Sequence, residues 1–180
     1  QISINFEGHG REIVSDKLDI GRTVGWFTSL YPVIIQDIGS DLGADIKNIK
    51  KTLEIIPERG IGYGIRPETM RLTDRKEKQA DITFNYMGDL RENVTDRQVF
   101  VLENTIQCGK DVDDRNQFGT DITINAVITQ KQMTIAVRYE QAEYPKEMIR
   151  QLSSTIIKEL QEIITHCAHC QESMLMKQES

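Results

Sequence analysis

Residues 122–139, ITINAVITQKQMTIAVRY, decide the fold class of this chain. Ile122, Ile124, Ala126 and Ile128 recur at every second position. Gln130-Lys131-Gln132 interrupts the pattern, and Met133, Ile135, Val137 and Tyr139 resume it. A period of two puts every second side chain on one face of a strand, so the stretch reads as a β-hairpin. A different period follows at once. Pro145 marks a helix start, where its missing N–H costs nothing. Met148, Ile149, Leu152, Ile156, Leu160, Ile163 and Ile164 then form an apolar stripe at helical spacing.

Working outward, Ile2, Ile4 and Phe6 share one face of a short strand, with Ser3 and Asn5 on the other. Thr23–Ile35 is β-branched and aromatic and reads as a buried strand, with Pro32 marking an edge or an irregularity. Ser40 is placed to cap a helix running to about Ile56, because Leu42, Ile46, Ile49, Leu53 and Ile56 recur at helical spacing. Pro57 and Gly60 stop it. Ala80–Met87 is another strand, ending at Gly88. Asp89–Val99 is polar and loop-like, and Asp111–Asn116 is a charged turn. Residues 1–170 form the folded unit, and 171–180 read as a polar, frayed tail. Strands and helices mix without regular βαβ alternation. The expected class is α/β, a mixed-sheet sandwich with helices on one face of a mixed or antiparallel sheet.

A chain of 180 residues fits one domain with a real core. The net charge of −6 argues against a broad nucleic-acid footprint, which needs clustered Lys and Arg. No apolar run is long enough to span a bilayer, and no secretory segment opens the chain. Three cysteines, an odd number, point to a reducing cytoplasm rather than a disulfide scaffold. The chain opens on Gln1 and alternates like a strand from there, as if cut from something longer.

Four places carry candidate chemistry. His166-Cys167-Ala168-His169-Cys170 offers four potential ligands in five residues, but closed zinc sites draw ligands from two separated segments. It reads as a helix end with incidental thiols, and no metal is expected. Gly60-Ile61-Gly62-Tyr63-Gly64 lacks the preceding strand and following helix of a nucleotide-binding loop, so it reads as a turn where backbones approach closely. Asn85 and Tyr86 end a strand and point to opposite faces unless the strand bulges there. Glu7 follows a strand, and Gly8 and Gly10 strip bulk from its surroundings. In a partly dry cleft its pKa would rise by desolvation, as suits a proton-transfer base, while Arg11 nearby would favour the charged form. The bland alternative is an exposed Glu-Arg turn worth little.

Four segments in order carry a family resemblance. Glu7–Glu12, Arg22–Val33, Pro57–Gly64 and Phe84–Gly88 resemble the EGHGRE, RTVGWFTSxYPV, PxxGxGYG and FNYLG motifs of epimerization domains of non-ribosomal peptide synthetases, with Met87 where Leu is usual. The resemblance covers Ile2 to about Cys170. It implies one lobe, the C-terminal one, of a two-lobed fold similar to chloramphenicol acetyltransferase. The HHxxxDG signature of the N-terminal lobe does not occur in this chain.

The implied reaction inverts the α-carbon of an aminoacyl or peptidyl thioester on the phosphopantetheine arm of a carrier domain, with no cofactor bound by this lobe. Glu7 is expected as an acid/base, opposite the histidine of the other lobe. Tyr86 is assigned to proton transfer or enolate stabilisation, Asn85 to positioning, and Arg11 to orienting Glu7 or another carboxylate. His9 and Glu12 take structural roles; Trp26, Phe27 and Tyr31 belong to core or lobe contact. The partners implied are the N-terminal lobe of the same domain, the carrier domain, and a downstream condensation domain or synthetase subunit. Without its opposite lobe such a fragment is expected to be inactive. Two other readings stay open: the C-terminal lobe of a peptide-bond-forming condensation domain, and a non-catalytic lobe that docks carrier domains.

Overall fold

A computed structural model describes residues 1–12, 19–36, 38–39, 41–64, 80–90, 113, 119–129 and 131–178. Five strands form one mixed sheet: β1 (Ile2–Gly8), β2 (Ser29–Ile35), β3 (Ile82–Asp89), β4 (Ile122–Thr129) and β5 (Gln132–Tyr139). Their spatial order is β2-β1-β3-β4-β5. The outer pairs β1–β2 and β4–β5 are antiparallel, and the inner pairs β1–β3 and β3–β4 are parallel. Two helices accompany the sheet, α1 (Leu42–Glu54) and α2 (Lys146–Gln178). The class is α/β with a mixed sheet, as the alternation led us to expect.

The core forms where the two periodicities meet. Ile122 and Ile124 of β4 are buried against Ile149 of α2, with Phe84, Val137 and Leu152 packed around them. Each such side chain contributes about 1.5–3 kcal/mol by leaving water. Phe6 meets Phe84 edge-to-face across the parallel β1–β3 pair, at 5.6 Å between ring centres. The contact confirms that Phe6 and Phe84 share the face covered by α2. Helix α1 touches both β2 and α2 and lies on that same side.

Several elements differ in extent from the sequence reading. The strand expected over Thr23–Ile35 begins only at Ser29. Val24 and Trp26 are 100% and 89% exposed, so Trp26 is not core. The reason is Arg11, which donates to the carbonyls of Ile20 and Thr23 and so holds residues 19–28 as a loop. Helix α1 is capped by Asp41 rather than Ser40, which lies outside the described residues. The Asp41 carboxylate accepts from the Ala44 N–H at 2.9 Å. Pro57–Gly60 does end the helical run, as a short 3-10 turn. β3 continues to Asp89 rather than ending at Gly88. Asp89 and Leu90 apart, the polar stretch to Val99 lies outside the described residues, as does the charged turn at 111–116 apart from Asp113.

The tail set apart from residue 171 continues α2 as far as Gln178. Gln, Glu, Met, Leu and Lys there are good helix formers, and no Gly or Pro interrupts them. The His/Cys cluster sits on this helix. His166 Nε2 lies 3.7 Å from Cys170 Sγ, one turn on, and beside Gly43 of α1. Among the described residues no three potential ligands are gathered at one point.

Candidate active site

Two sheet faces result, and they differ in chemistry. One carries the apolar set under the helices. The other carries Ser3, Asn5 and Glu7 of β1, Thr83 and Asn85 of β3, and Thr123 and Asn125 of β4, by simple alternation from the core positions. Register then places particular pairs side by side. Glu7 is the parallel partner of Asn85, and Asn85 is the partner of Asn125. A carboxylate and two carboxamides thus form a row across three adjacent strands, near the C-terminal ends of the parallel set.

Glu7 is half-buried, and removal from water pushes its carboxyl above its ordinary range. Arg11 does not offset this. Its guanidinium donates to Ile20 O at 2.9 Å and Thr23 O at 3.0 Å, and lies 4.4 Å over the Phe27 ring. The role expected of Arg11 is to orient Glu7 or another carboxylate; among the described residues its guanidinium is taken up by these loop contacts. A fork of donors in reach of two loop carbonyls binds them instead, and no ion pair joins Arg11 to Glu7.

The raised carboxyl has a consequence for stability. The folded state binds the Glu7 proton more tightly than the unfolded chain does. Stability is therefore unaffected at pH below the ordinary carboxylate range, falls as pH climbs toward the raised folded-state value, and stays lower above it. Glu7→Gln escapes this. Its midpoint of denaturation should gain on the parent's as pH rises through that window, and match it most closely in acid. Midpoints in urea at a series of pH values check this; an advantage that shrank as pH rose would contradict it.

Tyr86 is placed differently from Glu7. Its partner is Ala126, a core-face position, so Tyr86 belongs to the helix-side face, at its end, where it is 48% exposed. A bulge does follow, between Tyr86 and Asp89, with Gly88 at φ 84°. It comes one residue too late to bring Tyr86 round beside Asn85. The structure thus joins Glu7 to Asn85 and sets Tyr86 on the opposite side of the strand end.

The rest of the first motif builds a rigid corner. His9 Nδ1 accepts the Arg11 backbone N–H at 3.0 Å, which leaves Nε2 as the protonated nitrogen, 3.1 Å from Glu12 Oε1. Glu12 also approaches Arg59 of the 3-10 turn, at 3.7 Å. Tyr31 lies between, its ring against Gly60, and burial pushes its phenol up. The glycines make this possible. Gly60 (φ 78°) leaves room for the Tyr31 ring, and Gly10 (φ 64°) leaves room for the Phe27 carbonyl; a Cβ at either would collide with it. The glycine-rich turn and the first motif are therefore two halves of one packed corner.

Two polar residues escaped the sequence reading. Asn125 was visible only as the polar partner of buried Ile124 and Ala126. Asn5 is 3% exposed, two residues before Glu7 on the same face, and its Oδ1 has no partner among the described residues. Alternation with Ile4 and Phe6 gives the face, but burial of an amide there has no local signature.

Residues 1–180 match the family described as the condensation domain. The chain belongs to the condensation domain family. Similar proteins include bacitracin synthase 3 of Bacillus licheniformis, 35% identical over 96% of this chain and 3% of that protein. Gramicidin S synthase 1 of Brevibacillus brevis is 33% identical over 97% of this chain and 17% of that protein. Among solved structures, the epimerization domain from the third module of tyrocidine synthetase B superposes with a TM-score of 0.76 and 30% identity, over 92% of this chain and 37% of that one. The chain thus spans a small fraction of those synthases and just over a third of the solved domain. The α/β lobe of that fold is what its five strands and two helices form. Among the described residues no helix is long and apolar enough to cross a membrane.

Proposed function

We propose that this chain is the C-terminal lobe of a peptide synthetase epimerization domain, inverting the α-carbon of an aminoacyl or peptidyl thioester held on the phosphopantetheine arm of a carrier domain. The observation that carries the reading is Glu7: a carboxyl lifted by burial, aligned with Asn85 on a polar sheet face, in a lobe that superposes on an epimerization domain.

The chemistry follows from the group's surroundings. A thioester carbonyl acidifies the adjacent Cα–H. Glu7 carboxylate takes that proton, and the C–H electron pair moves into the carbonyl as an enolate. A proton returned to the opposite face of Cα restores the thioester with inverted configuration. A raised pKa narrows the gap between base and carbon acid, so the lift from burial favours transfer. Asn85 is placed to hold the carboxylate or donate to the enolate oxygen, the kind of preorganised donor that stabilises developing charge. The second proton-transfer group belongs to the N-terminal lobe, so neither lobe works alone. Arg11 serves by shaping the corner that carries Glu7. Tyr86, half-exposed at the strand end on the other face, is assigned to proton transfer or enolate stabilisation from that side. The domain works in the cytoplasm, with a downstream condensation domain or synthetase subunit receiving the product.

The test uses the two-lobed domain with a carrier loaded with an L-aminoacyl thioester. Deuterium from D₂O should enter at Cα and D-configured product should accumulate. Peptide-bond formation to a second loaded carrier, without Cα exchange, would instead establish the condensation reading that the family match also allows.

A further inference from the structure

β2 is the edge strand beside β1, and its residues on the Glu7 face are apolar throughout. Leu30, Pro32 and Ile34 are the antiparallel partners of Glu7, Asn5 and Ser3. Directly opposed residues of an antiparallel pair stand about 4.5–5.5 Å apart at Cβ and share a face. Leu30 therefore stands next to the Glu7 carboxyl on one side, as Asn85 does on the other. Leu30 is 48% exposed and Ile34 50%, whereas the helix-side residues of the same strand, Val33 and Ile35, are buried. At the level of the carboxyl this face is thus polar over β1, β3 and β4 (Glu7, Asn85, Asn125) and apolar over β2 (Leu30), with the carboxyl on the boundary; one step further along β4, Val127 is apolar too.

We infer that Leu30 is a specificity-determining residue, and that the site accepts thioesters whose α-substituent is apolar. The inference rests on Glu7 being the base. The atom Glu7 reaches is the Cα hydrogen, and Cα bears both the polar amide and thioester groups and the side chain. With the polar groups over Asn85 and Asn125, the remaining substituent falls over β2, where it meets Leu30 first. Apolar surface there gains by leaving water, and a carboxamide gains nothing because Leu30 offers it no partner.

The experiment compares leucyl and asparaginyl thioesters, which are similar in shape, on the carrier with the two-lobed domain. Each is followed by Cα exchange as kcat/KM, and by the affinity of the corresponding non-reacting aminoacyl-pantetheine amides. The parent should favour leucyl in both. Leu30→Asn should lower the leucyl-to-asparaginyl ratio about tenfold or more, and Leu30→Met should keep it. A ratio unmoved by Leu30→Asn, or both substrates falling equally, would overturn the inference and make Leu30 a lobe or folding contact. The two readings fail separately. Exchange that proceeds with an unmoved ratio sinks only the role of Leu30. A shifted binding ratio without exchange in the parent sinks only the epimerase reading.

Discussion

Glu7→Gln in the two-lobed domain is expected to slow Cα exchange by about 10²–10⁴-fold, the usual worth of one positioned general base. Glutamine keeps the length, the planar head and one acceptor, so it preserves the β1–β3 register and the alignment with Asn85. What it loses is basicity. Because burial disfavours the Glu7 charge, the variant should be at least as stable as the parent at neutral pH, and unfolding cannot account for the lost rate. Glu7→Asp should retain part of the activity, limited by a retreat of one methylene from the reacting hydrogen. In the parent, the exchange rate should rise with pH through the raised carboxyl titration, since only the carboxylate accepts a proton, and this limb should vanish in Glu7→Gln. Exchange at the parental rate in the glutamine variant would remove Glu7 from the mechanism.

The second large effect is on stability. Gly10→Ala should cost about 3 kcal/mol or more, read as a lower midpoint in urea at unchanged slope. Two costs add. Gly10 holds φ 64°, where an L-residue pays roughly 1–2 kcal/mol. Its added Cβ would also occupy the space of the Phe27 carbonyl, a backbone atom that cannot swing aside as a side-chain tip does. Phe27 is tied in turn to Arg11 through its ring, so the whole loop must shift. Gly62→Ala is the control. It has open space around it, and its midpoint should move by no more than about 0.5 kcal/mol. Equal midpoints for the two variants would show that the corner yields more easily than its geometry implies.

These expectations differ in where they come from. The hairpin, both helices and the apolar face of β1 were legible because each is a local periodicity, and period reports which side of an element meets the core. The four motifs in order were legible too, and they point to the family. The loop at 19–28 was not. Thr23–Thr28 reads as part of a strand by composition, yet a guanidinium from outside the segment binds the carbonyls of Ile20 and Thr23 and the stretch runs as a loop. Tertiary bonding overrode propensity there, as is common for β-prone stretches. The exposure of Trp26 follows from the same cause.

The sequence by itself determined the fold class, the family and the pairing of a carboxylate with glycines at a strand end. Only the tertiary structure decided which residues stand beside that carboxylate. Asn85 is far from Glu7 in the chain and reaches it through a parallel pairing, and no local pattern encodes the register of strands joined by a long crossover. The same pairing sets Tyr86 on the other face and puts Leu30 at the carboxyl's opposite side. Alternation names the face each residue takes; register, which depends on how distant segments pack, names its neighbours.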